Sequence, residues 1–142
     1  MIRTAEAGDR ERLRELQTHL REPNPALLAY AVDGPPLVVV STVDGTPVGY
    51  LAAFYDGEAG YVAEIVVEPA HRREGRAKRL LAAAFDRLRA AGCSEIRLTV
   101  RPDNDAARRL YESLGFEEVG RVADYYEDGS EGLTMGRTLG RA

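Results

Sequence analysis

The sequence predicts a single α/β domain whose central sheet is mostly antiparallel and contains one parallel β-α-β crossover. The chain has 142 residues, about one domain at the usual ~100–200 residues per domain, so we expect one domain over residues 1–142. Residues 37–68 hold three β-rich runs separated by Asp44-Gly45 and Asp56-Gly57, a pattern typical of antiparallel hairpins. A strongly periodic helix then lies between two further strands, and this order favours a parallel crossover.

The N-terminal part predicts a short strand and then a one-sided helix. Met1–Ala5 is the strand, and Asp9 is a candidate N-cap for the helix. The helix is expected to end before Pro23. Ala26–Val32 is a candidate second short helix. The apolar face of the first helix has spacings of three and four and consists of Leu13, Leu16 and Leu20.

Three antiparallel strands are expected next. They are Leu37–Val43, Val48–Tyr55 and Gly60–Glu68, and the Asp-Gly pairs between them predict tight turns. Pro69 ends the third strand because proline cannot donate a hydrogen bond to the sheet.

The strongest helix of the chain is predicted to begin at Ala77. Gly92 is placed to end it, and a strand follows at once. The strand-helix-strand order puts Ile65–Val67 and Ile96–Val100 parallel or nearly so. The apolar residues of the helix recur at steps of three and four over about four turns: Leu80, Leu81, Ala84, Phe85, Leu88 and Ala91.

The C-terminal part predicts a last helix and a closing hairpin. The helix spans Asp105–Ser113, with Gly115 as its left-handed terminator. The hairpin pairs Glu117–Tyr126 with Gly132–Leu139 around Asp128-Gly129.

Composition excludes several classes of function. The formal net charge is −4, the wrong sign for a protein whose whole surface binds nucleic acid. The longest apolar run has seven residues, against the ~18 that a membrane span needs, so no membrane partner is expected. The start of the chain lacks the apolar core of a signal peptide, so we expect a cytoplasmic protein. One cysteine and two histidines do not predict a disulfide or a metal site.

A cationic, glycine-containing loop joins the third strand to the long helix. Five of the eight residues from Arg72 to Arg79 are cationic. Gly75 lets the backbone come close to a ligand, and the helix start offers unpaired N–H groups, so the place favours a phosphate or pyrophosphate. The alternative is a solvated cationic helix start. The loop consists of Arg72, Arg73, Glu74, Gly75, Arg76 and Ala77.

A second motif surrounds the last helix. Asn104 and Tyr111 are seven residues apart, two helical turns, so both lie on nearly the same face and would line one groove. The alternative makes Asn104 a helix cap and Tyr111 a core aromatic residue.

Together, in this order, the two motifs resemble those of the GNAT N-acetyltransferase superfamily. Arg72–Ala77 is similar to its Gln/Arg-x-x-Gly-x-Gly/Ala acyl-CoA signature, with Ala77 as an accepted variant of the final Gly. Asn104–Phe116 is similar to its downstream Asn-x-x-Ala-x-x-Leu-Tyr-x-x-x-Gly-Phe segment, with Ala107 at the Ala position. The resemblance covers nearly the whole chain. It implies a GNAT-like fold with flanking helices and acetyl-CoA as co-substrate, without a metal.

The resemblance also implies where the cofactor lies. The strand segment Val62–Val67 would splay from the strand Glu95–Val100 near a bulge. The pantetheine arm would lie in the gap and bond to the backbone of Val66 and Val67. The pyrophosphate would lie on the amides from Arg73 to Ala77. Asn104 would hold the cofactor rather than react.

In the implied reaction an amine attacks the thioester directly. Glu64 is the candidate general base, and the alternative is a carboxylate that faces solvent or pairs with an arginine. A backbone N–H near Val66 would stabilise the oxyanion, and Tyr111 would donate a proton to the departing thiolate. A non-catalytic domain that binds or senses acyl-CoA is the competing function, and the presence of both Glu64 and Tyr111 argues against it.

The amine acceptor is less legible. A protein N-terminus, a lysine or a small amine would serve, and Tyr125–Gly129 resembles the tail of protein N-terminal alanine acetyltransferases. The acidic residues Asp124, Glu127 and Asp128 are candidates to receive a cationic amine, with a solvated turn as the alternative. The sequence leaves the oligomeric state open, a homodimer included.

Overall fold

The computed structural model describes residues 1–20 and 37–140, and nearly all of the elements expected there are found, with ends shifted by a few residues. The predicted helix at Ala26–Val32 lies outside the described residues. No helix in the described ranges is long and apolar enough to cross a membrane. The elements are β1 (Ile2–Thr4), α1 (Arg10–Gln17), β2 (Leu37–Val43), β3 (Thr46–Asp56), β4 (Ala59–Val67), α2 (Arg76–Ala90), β5 (Glu95–Val100), α3 (Asp105–Ser113), β6 (Glu117–Val122) and β7 (Gly132–Thr138).

The strands form one seven-stranded mixed sheet in the order β1-β2-β3-β4-β5-β7-β6. Every neighbouring pair is antiparallel except β4 with β5. The predicted fold class, a mostly antiparallel sheet with one parallel crossover, is therefore confirmed. The closing hairpin joins the sheet through its second strand, because β7 lies between β5 and β6.

Local turn chemistry explains several element ends. Asp44 and Gly45 have φ of 50° and 81°, the left-handed backbone that a tight hairpin turn between β2 and β3 requires. Gly115 has φ of 88°, and the N–H of Phe116 donates to the carbonyl of Tyr111 at 3.0 Å, so the glycine ends α3 as predicted.

The start of α1 differs from the prediction. Asp9 occupies the N-cap position, but its side chain makes no capping bond to α1. Its carboxylate instead accepts hydrogen bonds from the N–H of Glu6 at 2.8 Å and from Arg3 at 2.7 Å. The hydrogen bond from Arg3 is the main reason that the pKa of Asp9 lies below its ordinary value. Asp9 thus ties the start of the helix to β1.

Helices cover both faces of the sheet. α2 and α3 pack on one face, where Val39 and Leu51 belong to the larger hydrophobic cluster. α1 packs on the other face against Val38, Val40 and Tyr50. Because the two faces alternate along each strand, β2 is apolar at successive positions and is buried on both sides.

The parallel pair β4 and β5 is short, and this opens the sheet. Only Ala59–Val62 of β4 pair with β5, and their partners are Glu95–Leu98. The register between β3 and β4 shifts at the same level, leaving Ala63 as the extra residue of a bulge. The expected splay near a bulge is confirmed. β4 runs parallel to β5, as expected for Ile65–Val67 and Ile96–Val100, and Ile65–Val67 lie beyond the last paired residues, in the part of β4 that splays away.

Candidate active site

Two adjoining clefts open where β4 and β5 separate. The loop-side cleft, about 530 Å³, lies between the end of β4, the loop before α2 and the inner face of α3. The sheet-end cleft, about 430 Å³, lies between the bulge of β4, the end of β5 and the segment around Tyr126. Residues that line both clefts are Leu20, Ile65, Asn104, Ala107 and Tyr111. The predicted glycine loop and α3 motif therefore meet in one place.

The loop-side cleft is closed at one end by the start of α2. Gly75 is the residue before the helix and has φ of 75°, while Arg73 has φ of 64°. These left-handed residues turn the chain sharply into α2, whose first N–H groups have no partner within the helix. Partial positive charge at this end favours an anion. The loop residues that line the cleft are Arg72, Arg73, Gly75, Arg76 and Ala77.

Two of the five cations are used to hold this loop in place. The Nε of Arg72 donates to the carbonyl of Val67 at 2.8 Å. Arg76 donates to the Ser41 hydroxyl of β2 at 2.9 Å and to Glu74 at 3.0 Å. Arg76 also holds the pKa of Glu74 below its ordinary value. Glu74 is not among the residues that line the cleft, so a contact of Glu74 with the cofactor stays a prediction.

The backbone register bears on one predicted contact. The N–H of Glu68 donates to the carbonyl of Val48 at 2.9 Å, so Val48 and Glu68 are a hydrogen-bonded pair. Because such pairs alternate along an antiparallel ladder, Tyr50 and Val66, two residues further along, are also hydrogen-bonded to each other. The N–H and C=O of Val66 therefore point at β3, away from the cleft. The backbone N–H and C=O groups of Ile65 and Val67 point away from β3, towards the gap between β4 and β5. The outward backbone groups beside the cleft are therefore those of Ile65 and Val67, and the backbone contact expected at Val66 stays a prediction that this register does not favour.

Glu64 is buried in the wall of the sheet-end cleft, with 7% of its surface exposed. The Tyr50 hydroxyl donates to its Oε1 at 2.8 Å, and the Gln17 amide donates to Oε1 at 3.0 Å and to Oε2 at 3.2 Å. Burial, and next the charge of Glu64, raise the pKa of Tyr50 well above its ordinary value, so Tyr50 remains a donor. The described partners of this buried carboxylate are therefore a phenol and an amide.

Neither Gln17 nor Tyr50 was predicted from the sequence to contact Glu64. Gln17 follows Leu13 by four residues, so it lies on the apolar face of α1. A polar side chain on that face is a signal for a buried polar partner. Tyr50 lies in an apolar strand, and nothing in its spacing marks it as a partner of Glu64.

Tyr111 lies between the core and both clefts. Its ring packs against Phe116 at 5.7 Å between centroids, and 7% of the residue is exposed. Burial is the main cause that raises its pKa to about 12, so the phenol stays protonated at neutral pH. The core role and the cleft role, which were alternatives for this residue, therefore coexist.

Asn104 also combines its two alternatives. Its Oδ1 accepts a hydrogen bond from the N–H of Ala107 at 3.2 Å, which makes it the N-cap of α3. It lines both clefts, as does Tyr111 two turns later. The predicted common face of the two residues is confirmed.

The acidic residues between β6 and β7, for which an amine site and a solvated turn were the alternatives, lie outside both clefts. Asp128 pairs with Arg101 at 3.0 Å, and hydrogen bonds from Ser130, assisted by Arg101, lower the pKa of Asp128 to about 2. Asp124, Glu127 and Asp128 do not line either cleft. Tyr126 alone of that segment lines the sheet-end cleft.

Comparison with known proteins agrees with this geometry. The model of the acetyltransferase (GNAT) family matches residues 5–116, most of the chain. The chain belongs to this family. A curated relative, N-alpha-acetyltransferase 30 of Saccharomyces cerevisiae, is 39% identical over 67 residues, which are 47% of this chain and 38% of that protein. The chain spans less than two thirds of the length of this relative and of two bacterial acetyltransferases that it also matches.

Solved structures of GNAT proteins have the same fold. The ribosomal-protein-S18-alanine N-acetyltransferase of Escherichia coli superposes with a TM-score of 0.88 at 26% identity, over 100% of this chain and 95% of that one. Arabidopsis thaliana NAA60, solved in complex with acetyl-CoA, superposes with a TM-score of 0.86 over 98% of each chain. Its identity to this chain is 20%, so that likeness concerns the fold.

Proposed function

We propose that this GNAT protein transfers an acetyl group from acetyl-CoA to a primary amine by direct attack. One observation carries the proposal. The cleft that begins at the α2 start meets, at Ile65 and Tyr111, a second cleft whose wall holds the buried carboxylate of Glu64. Acetyl-CoA with its phosphates at the α2 start, and an amine in the second cleft, would thus meet between the Tyr111 hydroxyl and the Glu64 carboxylate.

The cofactor would occupy the loop-side cleft. Its pantetheine amides would bond to the outward groups of Ile65 and Val67, in the way that an added strand bonds to a sheet edge. The carbonyl of Val67 already accepts from Arg72, so its N–H is the group offered. The pyrophosphate would lie on the amides from Arg73 to Ala77, and Asn104 would contact the cofactor from α3.

The acceptor amine would enter through the sheet-end cleft. An alkyl amine has a pKa near ~10.4, so it arrives protonated and must lose a proton before it can attack. Glu64 takes that proton, directly or through water. The nitrogen then bonds to the thioester carbon, and the N–H of Ile65 stabilises the oxyanion.

Collapse of the tetrahedral intermediate breaks the carbon–sulfur bond and leaves the acetyl group on nitrogen. The Tyr111 hydroxyl donates its proton to the departing sulfur, and the phenolate then recovers a proton from solvent. The second proton of the attacking nitrogen passes to solvent water as the amide forms, and Glu64 then returns the first proton to solvent. No covalent enzyme intermediate is needed.

A protein N-terminus is the acceptor class that we propose, with a small amine as the second choice. Two relatives support it by name, the yeast N-alpha-acetyltransferase and the Escherichia coli ribosomal-protein enzyme. The sheet-end cleft supports it too, because it is open to solvent and is lined by both apolar residues, such as Val62 and Leu98, and polar ones, such as Thr99 and Asp103.

Acetyl-CoA should raise the melting temperature, and ATP and NAD should not. Binding to the folded state alone stabilises by about 2.7 kcal/mol at a hundredfold excess over Kd, several degrees for a domain of this size. Thiol release from acetyl-CoA, measured with a panel of peptides and small amines, then tests transfer. A melting shift with no turnover on any amine would favour the non-catalytic acyl-CoA-binding domain. A shift with NAD alone would exclude both functions.

Gly75→Val should raise the KM for acetyl-CoA by roughly tenfold with a smaller effect on kcat. Valine at φ of 75° costs ~1–2 kcal/mol, and its side chain would stand where the pyrophosphate approaches the backbone. Gly57→Val is the matched control, because Gly57 is also left-handed, with φ of 60°, but lies in the β3–β4 turn. Steady-state kinetics and melting curves check the pair. If Gly75→Val and Gly57→Val have the same KM for acetyl-CoA, the loop does not bind the cofactor.

A further inference from the structure

The segment 123–131 between β6 and β7, called the β6–β7 loop, forms one wall of the sheet-end cleft through Tyr126. Its own backbone is closed by hydrogen bonds from the N–H groups of Tyr125 and Tyr126 to the carbonyl of Ser130, at 3.0 and 3.1 Å. These bonds shape the loop but do not fix it over the cleft. Side chains must do that.

Three hydroxyl groups connect this loop to the sheet. The Tyr61 hydroxyl donates to Oγ1 of Thr99 at 2.7 Å. The same hydroxyl lies 3.0 Å from the Tyr125 hydroxyl, which can then donate to it. Tyr61 is on β4 and Thr99 on β5, so the chain of bonds crosses the last paired part of the two strands before they separate. It reaches the loop at Tyr125.

The surroundings keep this hydroxyl chain in place. Tyr61 is half-buried, and burial is the main cause that raises its pKa to about 12, so it remains a hydrogen-bond donor through the neutral range. Close packing of the loop depends on Gly132, because a Cβ there would lie 2.6 Å from Cγ2 of Thr99 and 2.9 Å from the ring of Tyr125. The loop can approach β5 closely because position 132 has no side chain.

The position of Tyr125 determines that of Tyr126. Their rings meet edge to face at 4.8 Å between centroids. The guanidinium of Arg101, at the end of β5, lies 4.2 Å from the centre of the Tyr126 ring and pairs with Asp128 at 3.0 Å. Tyr126 is therefore held between a ring fixed by the hydroxyl chain and a cation fixed by the loop.

We propose that Tyr61, Thr99 and Tyr125 form a positioning device that sets the wall of the acceptor cleft at Tyr126. Tyr61 and Tyr125 line neither cleft and act through the loop, so they are positioning residues, whereas Thr99 anchors the hydroxyl chain and also lines the sheet-end cleft itself. The inference rests on the proposed function, since it assigns the sheet-end cleft to the amine. It predicts that losing a hydroxyl weakens acceptor binding and leaves the cofactor cleft unchanged.

Tyr61→Phe should raise the KM for the acceptor roughly three- to tenfold, the worth of one hydrogen bond, with kcat and the KM for acetyl-CoA within about twofold of the parent. Tyr125→Phe should act alike, and the double variant should be no worse than either single one, because both break one chain. Thr99→Val should reproduce the effect, while Thr99→Ser, which keeps the hydroxyl, should restore the acceptor KM. Tyr55→Phe is the control, since Tyr55 is an exposed tyrosine on β3.

Hydrogen exchange of the β6–β7 loop amides gives a readout that needs no turnover. Exchange at Tyr125 and Tyr126 should accelerate in Tyr61→Phe and Thr99→Val but not in Tyr55→Phe. Unchanged exchange together with an unchanged acceptor KM would overturn the positioning role. Faster exchange in these variants, in a protein that acetylates no amine, would support the role of the hydroxyl chain in holding the loop. It would overturn the proposed function instead.

Discussion

Glu64→Gln is expected to lower kcat/KM for the amine by ~10²–10³-fold, the usual worth of a general base. Glutamine has the shape of glutamate, and its carbonyl oxygen can still accept from Tyr50 and Gln17. What it cannot do is take a proton. Binding of acetyl-CoA should be unchanged, because Glu64 does not line the loop-side cleft. Steady-state kinetics and the melting shift with acetyl-CoA measure the two effects separately.

The pH dependence of this variant identifies the missing step. At higher pH more of the amine is already neutral, so the deficit of Glu64→Gln should narrow as the pH rises towards the amine pKa. Glu58→Gln, an exposed carboxylate in the β3–β4 turn, is the control. A kcat/KM within threefold of the parent at neutral pH would make Glu64 a structural partner of Tyr50 and Gln17. A deficit that does not change with pH would mean that Glu64 does not remove the proton.

The elements and the two motifs were predictable because their signals are local. Asp44-Gly45 demands a tight turn whatever surrounds it, and the spacing of Asn104 and Tyr111 places both on one helix face. Such rules concern a few neighbouring residues. That the loop and α3 line a common cleft was implied by the resemblance to the GNAT superfamily, and the structure places them there.

The outward backbone groups of β4 could not be predicted with the same rules. Side-chain spacing does not show which N–H groups of a strand face a given neighbour, and an error of one residue reverses the answer. The β3–β4 register decides for Ile65 and Val67 rather than Val66, and that register depends on the bulge at Ala63.

Side-chain partners distant in sequence were equally hidden. The hydrogen bond from Arg76 to Ser41, 35 residues earlier, could not be predicted from the sequence. The pairing of Asp128 with Arg101 could not be predicted either. A charge in a loop predicts that some partner exists, but the fold decides between a ligand and another side chain.

Tyr111→Phe is expected to lower kcat at least tenfold with little change in the KM for acetyl-CoA, since general acid catalysis contributes ~10²–10⁴-fold. The ring contact with Phe116 survives, so the melting temperature should stay within a few degrees of the parent. A phenol with a pKa of about 12 stays protonated throughout the working range. The loss should therefore be the same factor from pH 6 to pH 10, in contrast to the narrowing deficit of Glu64→Gln.

Energetics decide whether Tyr111 can act as the acid. A simple thiol has a pKa near ~8.5, and burial raises the pKa of the Tyr111 phenol above its ordinary value, so proton transfer from the phenol to the sulfur is uphill. The sulfur leaves into the same cleft wall, however, and the burial that raises the phenol pKa also raises that of the thiol. The donor and acceptor therefore come closer in pKa than their solution values suggest. If kcat is unaffected by Tyr111→Phe while the acetyl-CoA melting shift is intact, water protonates the sulfur, and Tyr111 is a core residue that happens to line the clefts.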